Sequence, residues 1–158
     1  MTFTSDLKRF KTKTEEKMDR AVRKIVLDMF SHCILMSPVG NMDLWENPPR
    51  GKADDVIFPS AEGYVGGRFR GNWQPSIGST LDGELEVIDA SGQATISKVS
   101  GVLKGAKAGD IIYLTNNLPY AIPLEEGHSR QAPKGMVRLT VQRAVPIANQ
   151  IIAQIGAE

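Results

Sequence analysis

Glu125, His128 and Ser129 come nearest in this chain to a catalytic grouping. An acid, an imidazole and a hydroxyl are the parts of a hydrolytic site, where the imidazole takes the hydroxyl proton and the acid orients the imidazole. Side chains this close in sequence rarely reach each other in that geometry, and no serine here lies in a Gly-x-Ser-x-Gly elbow. Glu125 and His128 also have the three-residue offset used by helical di-metal sites. Gly127 falls between them as a helix stop, and no second such pair occurs. The one cysteine, Cys33, and the two histidines, His32 and His128, form no ligand pairs of zinc-site spacing. Gly63, Gly66, Gly67 and Gly71 lack both the dinucleotide spacing and a terminal Gly-Lys-Ser/Thr. The expectation is a protein without a catalytic, cofactor or metal site, whose turn residues, aromatics and charges serve assembly.

The elements that would position these residues belong to a chain of 158 residues, a length suited to one domain spanning 1–158 with a single core. Its apolar fraction of 41% and charged fraction of 23% are those of an ordinary globular protein. A formal charge of +1 gives no global attraction to nucleic acid or membrane. No apolar run approaches the roughly 18 residues of a membrane span, and the first residues are too polar for a signal peptide. A cytoplasmic origin is the default expectation. Cys33 lies in an apolar helical context and reads as a small buried hydrophobe.

Residues 5–36 read as one long helix. Leu7, Phe10, Thr14, Met18, Ala21, Ile25 and Met29 recur at three- and four-residue steps and form one largely apolar stripe. Thr4 or Ser5 is the expected cap, Asp6 suits the first turn, and Ser37-Pro38 ends the helix. Glu16 with Arg20 and Asp19 with Arg23 have the stabilising acid-first order. Lys13, Lys17, Arg20 and Lys24 make a basic row beside the stripe. That row is either a solvated face laced by ion pairs or a surface for DNA phosphates or an acidic partner.

Residues 40–66 are broken by prolines and glycines and read as a loop-rich insertion, with Trp45, Phe58 and Tyr64 too apolar for a free linker. From Arg68 to Trp73 the alternation of Phe69, Gly71 and Trp73 with Arg68, Arg70 and Asn72 predicts a half-buried strand. Val87 to Ala90 is a weaker strand candidate, and 92–103 returns to helical spacing through Ile96, Val99 and Leu103. Ile111 to Leu114 predicts a strand, Asn116-Asn117 a turn, and Pro119 to Gly127 a short helix distorted by Pro123. Residues 127–135 read as loop. From Val137 to Ile155 the spacing favours helix with a kink over strand, with Pro146 in the first turn of its last part. The predicted class is α+β: a small, mostly antiparallel sheet packed against a long N-terminal helix and a C-terminal helix.

One set of residues carries a resemblance. Tyr120-Ala121, Leu124-Glu125, Gly127-His128-Ser129, Gln131-Ala132-Pro133 and Gly135-Met136-Val137-Arg138 form it, with Ser37-Pro38-Val39 and Gly67-Arg68-Phe69-Arg70-Gly71-Asn72-Trp73 upstream. Together they resemble the neck and tail-completion proteins of tailed bacteriophages, the minor tail protein Z type of lambda-like phages above all. The resemblance covers most of the chain. One departure is that the two upstream pieces follow each other directly in that family, whereas roughly 27 residues intervene here.

The resemblance implies a virion structural protein, made in the bacterial cytoplasm, that completes the head–tail connection as a ring around the DNA channel. Its implied partners are further copies of itself in a cyclic oligomer (a hexamer by resemblance), adjoining connector or head-closure proteins, tail-tube or tail-terminator proteins, and the genomic DNA passing through. No membrane is implied. Arg68, Arg70, Tyr120, Glu125, Glu126, His128, Arg130 and Gln131 are the expected subunit seam, with Arg68 and Arg70 as counter-charges to Glu125. The alternative is a small nucleic-acid-binding or host-directed accessory protein that uses Lys13, Lys17, Arg20 and Lys24.

Overall fold

A computed structural model of the chain describes residues 2–41 and 66–157. The excursion expected at 40–66 lies outside the described residues except for its ends. The elements run α1 (Phe3–Met36), α2 (Arg68–Gly71), β1 (Gln74–Ile77), α3 (Gln93–Leu103), β2 (Ile112–Thr115), α4 (Ala121–Glu125), α5 (Val137–Gln142) and α6 (Ala144–Gly156). The class is α+β, with a two-stranded antiparallel sheet, a long N-terminal helix and a C-terminal helix.

The 34 residues of α1 make a rod of roughly 51 Å. It starts two residues earlier than the sequence predicts. Thr2, not Thr4 or Ser5, stands at the cap position, where its carbonyl accepts the N–H groups of Ser5 and Asp6. Ser37 is extended (φ −65°, ψ 134°), as the residue before Pro38 must be.

Two strand expectations fail. Arg68–Gly71 is a single helical turn rather than a strand. Over six residues a period of two and an i, i+4 pair are indistinguishable, and here the pair Phe69 and Trp73 sets the conformation. Both are buried and meet edge to face, with ring centroids 5.8 Å apart. Residues 87–90 are not a strand either: Val87 and Ile88 are exposed, in a segment without regular structure. Strand propensity needs a partner ladder, and none lies alongside this segment among the described residues.

β1 and β2 pair antiparallel from Gln74 opposite Thr115 to Ile77 opposite Ile112. A two-stranded ribbon is marginal alone, so it depends on α3, which packs against β1. α1 lies against α3, α5 and α6. The shared core gathers Cys33 and Ile34 from α1, Phe69 and Trp73, Val99 and Leu103 from α3, then Ala106, Leu118, Ala132 and Met136. At the C-terminus the kinked-helix expectation holds. The chain turns at Arg143 between α5 and α6, and Pro146 sits in the first turn of α6, where its missing N–H has no bond to lose. Ile151 and Ile155 are buried under α1, whereas Val137 and Val141 of the same predicted stripe are exposed.

Candidate functional site

The upstream motif pieces, separated in sequence, join at the C-terminal end of α1. Trp73 Nε1 donates to Ser37 Oγ (2.8 Å), which in turn donates to the Cys33 carbonyl (2.9 Å). The Arg70 guanidinium reaches the carbonyls of Leu35 (3.0 Å), Ser37 (2.6 Å) and Ala90 (2.6 Å). A cation on carbonyls at a helix C-terminus satisfies orphan acceptors and opposes the negative end of the dipole. Gly40 and Gly66 lie against each other, so close that a methyl group on Gly66 would collide with the Gly40 carbonyl. The departure from the family pattern therefore does not separate the two pieces in space.

The second motif encloses a carboxylate. α4 stops in a Schellman turn: Gly127 takes φ +93°, its N–H meets the Leu124 carbonyl, and His128 N–H meets that of Pro123. The chain then doubles back through Pro133 to Gly135, which takes φ +74° and whose missing side chain leaves room for Glu125. Glu125 accepts the first N–H groups of α5, from Met136, Val137 and Arg138, each at 2.9 Å. Burial alone would raise its pKa. The three backbone donors outweigh that, and Glu125 stays below the usual carboxylate range.

The seam residues thus divide. Within the chain Glu125 is not met by Arg68 or Arg70, the counter-charges expected across a subunit seam: its oxygens hold the start of α5, Arg70 holds the end of α1, and Arg68 pairs with Glu84 and Glu86 at 3.1 Å. Gln131 joins Val39 by two hydrogen bonds, 2.8 and 3.1 Å. Tyr120 lies tilted on Phe69, with centroids 6.0 Å apart. Glu126, His128 and Arg130 are exposed on the outer side of the α4–α5 turn.

One buried carboxylate had no weight in the sequence reasoning. Asp89 accepts Gly92 N–H, Thr95 N–H, Thr95 Oγ1–H and Ser91 Oγ–H, each within 2.9 Å, and so begins α3. Burial raises its pKa, and the bonds from Thr95, Ser91 and Gly92 bring it below its ordinary value. An acid just ahead of Gly92 and a helical period is a legible cap signal, hidden here by the strand reading of 87–90. Cys33 is buried as expected, and burial followed by the Glu125 charge pushes its thiol up to about 12. A thiol at that value is inert. His32 Nδ1 lies 2.8 Å from Thr140 Oγ1, and burial and then Arg143 lower its pKa. Among the described residues no three His, Cys, Asp or Glu side chains gather to hold a metal, and no helix is long and apolar enough to cross a membrane.

Two surfaces carry what the body leaves open. Residues 2–16 are all exposed, so the first 14 residues of α1 project about 21 Å beyond the body. On that projection Phe3 is 83% and Phe10 69% exposed, with Leu7 also uncovered. Farther along α1, Arg20, Arg23 and Lys24 face Lys104 and Ser100 across an open cleft of about 310 Å³ floored by Leu27 and Leu103. Lys24 reaches Gln154 (2.7 Å), and Arg23 holds the Ala106 carbonyl (2.7 Å) while pairing with Asp19 (3.9 Å). Lys13 is exposed and Lys17 half-buried. Compared with protein-family models, curated proteins and solved structures, the chain gives no match.

Proposed function

We propose that this chain is a virion structural protein of a tailed bacteriophage, a neck or tail-completion subunit that closes into a ring around the DNA channel. Its neighbours are connector or head-closure proteins on one side and tail-tube or tail-terminator proteins on the other, with genomic DNA passing through. It needs no cofactor and catalyses no reaction. The family resemblance supplies this identity, and the uncovered half of α1 is the observation that supports assembly as the work. A helix of this length draws most of its stability from packing, not propensity. The projection contains Thr4, Thr12 and Thr14, poor helix formers, and an apolar stripe that no other described residue covers. A second surface in the assembled particle would cover it.

The basic cleft between α1 and α3 favours the second reading, a small nucleic-acid-binding protein. One experiment separates the two: light scattering of the purified chain, with and without duplex DNA, at two salt concentrations. The ring reading predicts one closed oligomer whose mass DNA and salt leave unchanged. A monomer that binds duplex at low salt and releases it at high salt overturns it.

A further inference from the structure

Within the ring proposed above, the structure offers a complement for the projecting half of α1. Residues 2–16 carry Lys8, Arg9, Lys11 and Lys13 against Asp6, Glu15 and Glu16; Arg9 pairs with Asp6 and Lys11 with Glu15, so the cations gather at 8–13. Residues 81–88 carry Asp82, Glu84 and Glu86 and no basic residue, between the exposed apolar side chains of Leu81, Val87 and Ile88. Arg68 offsets part of this charge, yet the Glu86 side chain remains 85% exposed. One surface has a net charge of +1, with its cations gathered at 8–13 beside an apolar stripe, and the other is acidic with apolar flanks.

The acidic segment is also held ready. Asn72 bonds Leu85 at both N–H and carbonyl (2.7 and 2.9 Å), Gln74 bonds the Gly83 carbonyl (2.8 Å), and Asn117 bonds the Leu81 and Gly83 carbonyls (2.9 Å each). A segment fixed before contact loses little entropy on contact. The other exposed apolar face, Val137, Val141, Val145 and Ile152, is the poorer complement. Arg138 and Arg143 accompany it and no acid lies from 137 to 152, so it would set like charges against the helix.

We propose that the N-terminal half of α1 in one copy docks on residues 81–88 of the next. Residues 81–88 are tied to Asn72, beside Trp73 and the C-terminal end of α1, so the N-terminal half of α1 meets this segment only in another copy. The two surfaces are unlike, so the contact is head-to-tail and closes into a ring when the rotation per copy divides a full turn. This assignment rests on the ring reading, but names the surfaces that make it.

The test is a charge exchange in the full chain, with mass read by light scattering across concentration and folding checked by circular dichroism. One variant carries Lys8→Glu, Lys11→Glu and Lys13→Glu. A second carries Asp82→Lys and Glu86→Lys, keeping Glu84 for Arg68, and a third carries all five changes. Each one-sided variant is expected to raise the concentration for assembly about 100-fold, and the five-change chain to return within about 10-fold of the unaltered protein. If the unaltered chain assembles and either one-sided variant assembles equally well, the docking fails and the ring stands. A five-change chain that stays monomeric also overturns the docking. Loss of duplex-DNA binding in the lysine variant, with mass unchanged, overturns it in favour of a nucleic-acid surface. An unaltered chain that is monomeric throughout removes the ring reading as well.

Discussion

From Ala21 to Met36 the α1 stripe is enclosed by α3, α5 and α6 and ends in the Arg70–Trp73 hub; from Phe3 to Glu16 its sparser continuation, Phe3, Leu7 and Phe10, faces solvent. Periodicity treats the halves alike, because it reports which side of a helix is apolar and not whether anything lies against it. The difference shows where the chain is complete in itself. At the enclosed end even the charged residues work inward, with Arg70, Glu125 and Asp89 each satisfying backbone groups at a helix end. At the open end the charges pair along their own helix, as in Arg9 with Asp6 and Lys11 with Glu15.

The largest effects belong to the enclosed half. Ile34, 0% exposed, should lose about 2–5 kcal/mol in urea denaturation when changed to Ala. Trp73→Ala should lose roughly 3–5 kcal/mol, since it also leaves Ser37 Oγ without its donor. Equal stability of either variant with the unaltered chain would erase the contrast between the halves.

An intermediate effect attaches to the helix caps. Glu125→Ala should cost about 1–3 kcal/mol by uncapping α5. The acid dependence follows from the same geometry. Asp89 and Glu125 both have folded pKa values below their ordinary ones, so their contribution is fully present above the unfolded values, about 4. It is lost as pH falls through the lowered folded values. Urea midpoints should fall slightly as pH drops below about 6.5, where the unfolded chain protonates His32 before the folded one does, and more steeply below about pH 4. Glu125→Gln should decline less steeply, and a parallel decline would remove Glu125 as a source.

The smallest effect on folding is expected at the open end. Phe10→Ser should change stability by less than about 0.5 kcal/mol, while weakening assembly in the light-scattering experiment. A clear loss of monomer stability would mean that Phe10 packs on its own body.

The sequence was most legible where local rules decide. The long helix, its stop at Ser37-Pro38, the α3 period, the Gly127 stop and the break before Pro146 all depend on neighbours within a few residues. It was least legible where partners are distant. Glu125 reads as a free acid until the chain returns 11 to 13 residues later to present three N–H groups. Arg70 reads as a surface cation until the end of α1, more than 30 residues upstream, is beside it. The 68–73 and 87–90 readings failed for the same reason: a strand is defined by what it pairs with, and a short alternation carries no information about that.

Hydrogen exchange along α1, measured in the monomer and in the assembled protein, tests most directly whether the open half is a subunit-binding element. In the monomer, amides of residues 5–16 should exchange far faster than those of 25–36, because their side chains are all exposed. In the assembly, protection of 5–16 should rise towards that of 25–36. If those amides exchange equally fast in both states, the projecting helix is not what joins one subunit to the next.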